Sequence, residues 1–258
     1  MSGSIYMAAS GALAYEKRLQ IISNNLANTN TVGYKSDHSQ FRVFDLAENA
    51  TPTVEEPPAL NTSQAPLFWM QFDMYTDYSS GSLRSTGNDL DLALVGDGFF
   101  CVQTSDGVAY TRKGAFTLNS EGTLVTQDGL PVLGEGGEIT LKSQGNPQEY
   151  KKFGVDEQGN ISVDGKSVDS LRIVDFARPY NLTKLGDTLF KPATADISEI
   201  KVENIKVSQG FIEQSNVDAV KMMTEMIEVL RGYETYQKVI KSVDDANSKA
   251  INEVGKTT

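Results

Sequence analysis

Few residues in this chain could do chemistry. Among 258 residues there is one His and one Cys. His38 stands between Asp37 and Ser39, so three catalytic residue types run in a row. A hydrolytic triad is a spatial arrangement, however, and adjacent residues do not form one. His38 follows a turn and reads as an exposed loop residue. Cys101 lies in an apolar run, Phe99-Phe100-Cys101-Val102, where a buried, inert thiol is the default. Gly134-Glu135-Gly136-Gly137 lacks the Lys-Ser/Thr of a phosphate loop, and its Glu would repel phosphate. Asp156-Glu157-Gln158-Gly159-Asn160 sets carboxylates beside a Gly without calcium-loop spacing, and hairpin-turn chemistry accounts for it. One Cys excludes an internal disulfide framework and a Cys-rich zinc site, and one His excludes a His-rich one. No catalytic residue, no cofactor site and no metal site is expected, so the chain does not read as an enzyme.

The remaining polar cluster is Asn24, Asn25 and Asn28. An amide offers donors and an acceptor without net charge. Such groups can cross-link neighbouring helices without like-charge repulsion. They can equally cap and end a single helix, and both readings stand.

These asparagines follow a helical pattern. Ile5, Ala8, Ala12, Tyr15, Leu19, Ile22 and Leu26 recur at spacings of three and four, an apolar seam over more than three heptads. Ala8, Ala9 and Ala12 would admit a close neighbour. The helix should stop near Asn28, where stop and turn residues run to Gly33. A second, longer helix ends the chain. Ser215 and Asn216 are N-cap candidates, with Asp218 in the first turn. Ala219, Met222, Met226, Val229, Tyr233, Tyr236, Ile240, Val243, Asn247, Ala250 and Val254 form its seam. Val220, Met223, Ile227 and Leu230 form a second stripe, so this helix can face more than one partner.

Between the helices the pattern is β. Alternating apolar runs such as 90–95 and 99–102 are separated by Gly and Asp-Gly turns. A weak internal repeat aligns Phe116-Thr117-Leu118, Gly122 and Leu124 with Phe153-Gly154-Val155, Gly159 and Ile161, and reads as two similar hairpins. Residues 45–66 are rich in Pro, Thr and Glu and read as a loop or linker. Phe68-Trp69-Met70-Gln71-Phe72-Asp73-Met74-Tyr75 reads as a strand with one buried face, or as a contact with an adjacent protein. The fold class is therefore α+β. A helix in 1–34 and one in 205–258 form a coiled coil, packing on each other, on neighbouring subunits or both, while 35–80 links and 81–204 is a β-rich domain.

Charge follows the same division. The net charge is −11. Residues 1–34 carry +1 and 205–258 carry −1, so the whole excess lies in 35–204. A near-neutral end can stack on copies of itself, while an acidic middle stays solvated. The acidic balance disfavours nucleic acid and anionic membrane. No run of eighteen apolar residues exists to span a membrane. No Lys or Arg precedes Lys17, so the apolar N-terminus lacks a signal peptide's basic region.

Three sets of residues carry a resemblance. Ser23-Asn24-Asn25-Leu26-Ala27-Asn28 with Thr31-Val32-Gly33-Tyr34-Lys35 resembles the N-terminal signature of bacterial flagellar rod and hook axial proteins. Gly210-Phe211-Ile212-Glu213-Gln214-Ser215-Asn216-Val217 resembles their C-terminal signature, continued by Met223-Thr224-Glu225-Met226-Ile227 and Arg231-Gly232-Tyr233-Glu234. Leu90–Leu94, Gly96–Phe100 and Tyr110–Phe116 resemble the β-rich domain of the longer members. The length fits the two mid-sized rod proteins, and 131–139 and 239–247 look more like the proximal one. The resemblance implies a structural subunit exported through the flagellar type III apparatus, without a cleaved signal peptide, into a rod spanning the periplasm. Its partners would be copies of itself and the other proximal and distal rod proteins. Its assembly surface would comprise Leu19, Ile22, Asn24, Asn25, Leu26 and Asn28 on one side. Ser215, Asn216, Met226, Val229, Tyr233, Tyr236, Ile240 and Val243 would form the other. The competing class is a secreted β-domain enzyme or binding module with helical oligomerisation tails.

Overall fold

A computed structural model describes residues 2–45, 68–141, 153–186, 188–194, 196–202 and 206–254. A helix begins the chain, a helix ends it, and the middle is β-rich, an α+β architecture. The chain divides into two units. One comprises Met1–Asn25, Asp37–Asp77 and Val220–Thr258, and the other Leu26–Ser36 and Tyr78–Ala219.

The first unit is built on α1 (Ser2–Ala27) and α2 (Ala219–Val254). α1 ends where its turn residues begin: Thr29 donates from both its amide (3.3 Å) and its hydroxyl (2.8 Å) to the Leu26 carbonyl. In α2 the seam from Met222 to Asn247 is the covered face. Met222 and Val229 are buried, and Met226, Tyr233, Tyr236, Ile240, Val243 and Asn247 are half-buried. The start of α2 differs from the expected capping. Asp218 stands just before the first helical residue rather than in the first turn. Asn216, expected as a cap, also reaches across the chain: its Oδ1 accepts the Ser36 amide at 2.8 Å.

Two strands also belong to this unit among the described residues. β1 (Asp37–Asp45) and β2 (Phe68–Thr76) pair antiparallel over nine residues, from Asp37 opposite Thr76 to Asp45 opposite Phe68. The expected strand at 68–75 is therefore present. Its expected single buried face is not seen at Met74 and Tyr75, which are adjacent and both exposed. On the same strand Phe72 is half-buried, with the Lys17 ammonium of α1 5.4 Å from its ring centroid. The side chain of Trp69 and residues 46–67, most of the expected linker, lie outside the described residues.

Among the described residues the second unit holds seventeen short strands. They are β3 (Leu83–Ser85), β4 (Leu92–Val95), β5 (Phe99–Thr104), β6 (Gly107–Thr111), β7 (Phe116–Leu118), β8 (Leu124–Thr126), β9 (Leu133–Gly134), β10 (Gly137–Glu138), β11 (Phe153–Val155), β12 (Asn160–Val163), β13 (Lys166–Ser170), β14 (Ile173–Asp175), β15 (Leu182–Leu185), β16 (Leu189–Pro192), β17 (Ile200–Lys201), β18 (Lys206–Gln209) and β19 (Phe211–Glu213). The largest sheet runs β15-β16-β6-β5-β14-β17, all antiparallel. β5 is central and buried on both faces. Phe100 and Val102 join a layer with Leu92, Phe116, Leu124 and Ile161. Phe99 and Cys101 join the opposite layer with Tyr110, Phe176 and Phe190. Continuous burial thus replaces the alternation expected for this run, as it does for strands covered on both sides.

The internal repeat is structural. β7 pairs with β8, Phe116 opposite Thr126, and β11 pairs with β12, Phe153 opposite Val163. In the first turn the Asn119 side chain accepts the amides of Glu121 and Thr123. In the second, Asp156 accepts those of Gln158 and Asn160. Both loops close with a 3.0 Å bond from a left-handed glycine, Gly122 or Gly159, to the carbonyl of that Asx residue.

Candidate functional site

The residues that resembled catalytic ones are structural. His38 lies on β1 and not in a loop, because pairing with β2 stacks it on Tyr75, with ring centroids 5.6 Å apart. Cys101 is fully enclosed, and burial pushes its thiol up to about 12 against the opposing Arg172 guanidinium. A thiol held protonated is a poor nucleophile. Gly134 and Gly137 face each other across the β9–β10 turn. Among the described residues no group of three or more His, Cys, Asp or Glu is placed to hold a metal ion.

The helix faces are the more informative surface. α1 and α2 run antiparallel where they meet: Gly11 faces Tyr236, Tyr15 faces Gly232, and Asn25 Nδ2 reaches Met222 Sδ at 3.9 Å. A β-carbon on Gly11 would stand 2.5 Å from the Tyr236 ring, and one on Gly232 would collide with the Tyr15 ring. The two glycines thus seat two tyrosines, whose own rings lie 5.4 Å apart. Sequence reasoning assigned close approach to Ala8, Ala9 and Ala12. Ala8 is indeed buried, but the tight contacts fall on Gly11 and Gly232. Glycine inside a helix reads first as a weakness, which hides this use.

The other expected surface residues spread over this face. Ile22 is buried beside half-buried Leu19 and Leu26, and Asn24 is exposed. Val220, Met223, Ile227 and Leu230 form a stripe on α2 that is 41–76% exposed. So α2 carries one covered apolar face and one facing solvent.

Asn25 is buried, and its amide is used within its own chain. Nδ2 donates to the Asp37 carbonyl at 2.7 Å, and the Asp37 amide donates to Oδ1 at 2.9 Å. The side chain thereby mimics a strand partner and ties the end of α1 to the start of β1. Asn28 Oδ1 accepts the Thr31 hydroxyl at 2.9 Å inside the turn. Ser215 Oγ accepts the Val217 amide at 3.2 Å, a local turn.

A second cluster was missed. Lys35, Arg112 and Glu213 are each at most 3% exposed and form a buried ion triad. Lys35 Nζ meets Glu213 Oε1 at 2.7 Å, and Arg112 Nη1 meets Oε2 at 3.3 Å. Arg112 Nη2 donates to the Gly96 carbonyl at 2.7 Å, and its guanidinium lies over the Phe99 ring. The available signal was a cation in one signature and an anion in the other.

Comparison with known proteins covers the whole chain. The family model for flagella basal body rod proteins matches residues 5–35. That for the flagellar hook protein FlgE/F/G D1 domain matches 93–163, and that for the flagellar basal body rod FlgEFG protein C-terminal region matches 208–253. The flagellar basal-body rod protein FlgF of Caulobacter vibrioides is 35% identical over 99% of this chain and 99% of its own length. The flagellar basal-body rod protein FlgG of Bacillus subtilis is 34% identical over 98% and 99%. FlgF of Mesorhizobium japonicum is 31% identical over 99% of each.

Proposed function

The chain belongs to the flagellar basal-body rod protein family, and from that premise we propose the place it takes in the rod. It is a structural subunit of the flagellar basal body and not an enzyme. In our reading it is the FlgF-like, proximal subunit, exported by the flagellar type III apparatus with its N-terminus uncleaved. The terminal segments, 1–34 and 205–258, form the inner layer as a coiled coil extended across subunits. Residues 81–204 face outward. Copies of the chain and the neighbouring rod proteins are its partners. The expected surface from Leu19 to Asn28 and from Ser215 to Val243 works as one piece with the α2 stripe.

The observation that carries this reading is the double face of α2. Met222 and Val229 are already buried, yet Val220, Met223, Ile227 and Leu230 remain exposed on the same helix. A contiguous apolar stripe on a solvated helix is the mark of a surface that gets covered. The near-neutral charge of both ends removes the electrostatic cost of stacking them.

The test is a photo-crosslinking residue at position 227 in cells lacking the native protein. Adducts to further copies and to other rod proteins, found in isolated basal bodies, are expected. An antibody label should mark the end of the rod nearest the inner membrane. A label along the outer part instead assigns the FlgG-like, distal position. A chain absent from basal bodies refutes the assembly reading.

A further inference from the structure

The segment after α1 and the segment before α2 lie 178 to 180 residues apart and close on one carboxylate. Glu213 Oε1 accepts Lys35 Nζ at 2.7 Å and the Gly81 amide at 2.9 Å. The Glu213 carbonyl accepts the Gly33 amide at 2.8 Å, and Asn216 Oδ1 accepts the Ser36 amide. A third segment joins them. Lys35 Nζ also donates to the Ser79 carbonyl at 2.7 Å, and the Gln214 amide donates to the Ser82 carbonyl at 2.9 Å. The fit leaves no slack. Gly33 has φ +70°, and a β-carbon there would collide with the Lys113 amide nitrogen. A β-carbon on Gly81 would collide with the Gln214 carbonyl.

Charge makes the node asymmetric. Two buried cations, Lys35 and Arg112, share one carboxylate, so the triad carries a net positive charge. Arg112 Nε is itself buried and has no hydrogen-bond partner. Removing Lys35 leaves a balanced Arg112–Glu213 pair. Removing the Glu213 charge takes from two enclosed cations the carboxylate they share, the costly way to break a buried pair.

We propose that Glu213 closes a buried latch through which 33–36, 79–82 and 213–216 order as one unit. The end of α1 and the approach to α2 are then set together or not at all. Loss of the contact at either terminal segment frees both. This role is independent of the chain's position in the rod, because it concerns a single subunit before any partner binds.

Amide hydrogen exchange on the full-length chain tests it. The reporters are the amides of Gly33, Ser36, Gly81 and Gln214, with the β5–β6 amides as reference. Glu213→Gln should raise exchange at all four together, by about a hundredfold, while β5–β6 keeps its protection. Lys35→Met should move the same four together by about tenfold. A rise confined to Gly81, whose acceptor is altered, overturns the latch. So does a larger effect from Lys35→Met than from Glu213→Gln. If Glu213→Gln unfolds the β5–β6 reference as well, the Lys35→Met variant decides. Four amides moving together over an intact reference support the latch, and any other pattern overturns it.

Discussion

Replacing Ile227 by Asp, beside a matching Val229→Asp variant, separates the two faces of α2. The residues are two apart in sequence, yet Ile227 is 53% exposed and Val229 only 2%. Full burial of such a side chain is worth about 1.5–3 kcal/mol, so covering the remaining half of Ile227 contributes about 1 kcal/mol to a subunit contact. Asp forfeits that and adds the desolvation of a carboxylate, which brings the loss to about 3 kcal/mol or more. At about 1.4 kcal/mol per decade, each contact weakens by about a hundredfold. In the isolated chain the same change touches solvent and should stay within about 0.5 kcal/mol. Val229→Asp instead places an unpaired charge in the covered seam, at about 3–5 kcal/mol. Helical circular dichroism on melting reads the monomer, and basal-body micrographs with swimming halos read assembly. Ile227→Asp should leave the melt in place and abolish rods, while Val229→Asp should lose the helical signal first. Rods at normal yield from Ile227→Asp would refute the stripe as an interface. A melt lowered as far as in Val229→Asp would show that the stripe is covered within one chain.

Three further outcomes follow from the packing. Asn25→Leu leaves the Asp37 amide and carbonyl without the side chain that pairs them, at about 2–4 kcal/mol; the urea midpoint of the helical signal should fall, and an unmoved midpoint would mean that the clasp carries no stability. Gly232→Val drives methyl groups into the Tyr15 ring, and the overpacking, about 1–3 kcal/mol, exceeds the helix-propensity gain over Gly. Adding Tyr15→Ala should recover part of that loss, whereas strictly additive effects would place the two residues out of contact. Alkaline pH should weaken the β unit. Burial raises Cys101 from 9.0 to about 12 and Tyr180 from 10.0 to about 12, and it raises Tyr110 further. The folded state therefore holds these protons more tightly, so stability is whole below pH 9 and declines as the pH climbs toward 12. Denaturant melts from pH 8 to 12 should show that slope, and a profile flat through pH 11 would contradict it.

Local pattern and long-range geometry parted at particular residues. The seam of α2 was readable because a helix repeats its faces every three or four residues. Burial of Met222 and Val229, with half-burial of Met226, Tyr233 and Tyr236, follows that count. The end of α1 was readable because Asn28 to Gly33 is turn chemistry whatever packs nearby. The paired hairpins were readable because Asn119 and Asp156 close the same turn by the same local bonds. His38 was misread because its neighbours resemble a turn, and only the strand partner 37 residues onward, Tyr75, makes it part of a ribbon. The second use of Asn216 was not readable, because the Ser36 amide it accepts lies far away in sequence.

Periodicity, turn residues and charge placement act over a few neighbours or a sum, so the sequence by itself determined the two helices, the β-rich middle and the near-neutral ends. Its signature motifs also marked the family. Tertiary structure alone decided that Gly11 and Gly232 seat tyrosines, that Asn25 clasps Asp37, and that Lys35, Arg112 and Glu213 share one buried site. Each of those depends on which distant atoms arrive within about 3 Å of a bonding group or a missing side chain, and no local pattern encodes that distance.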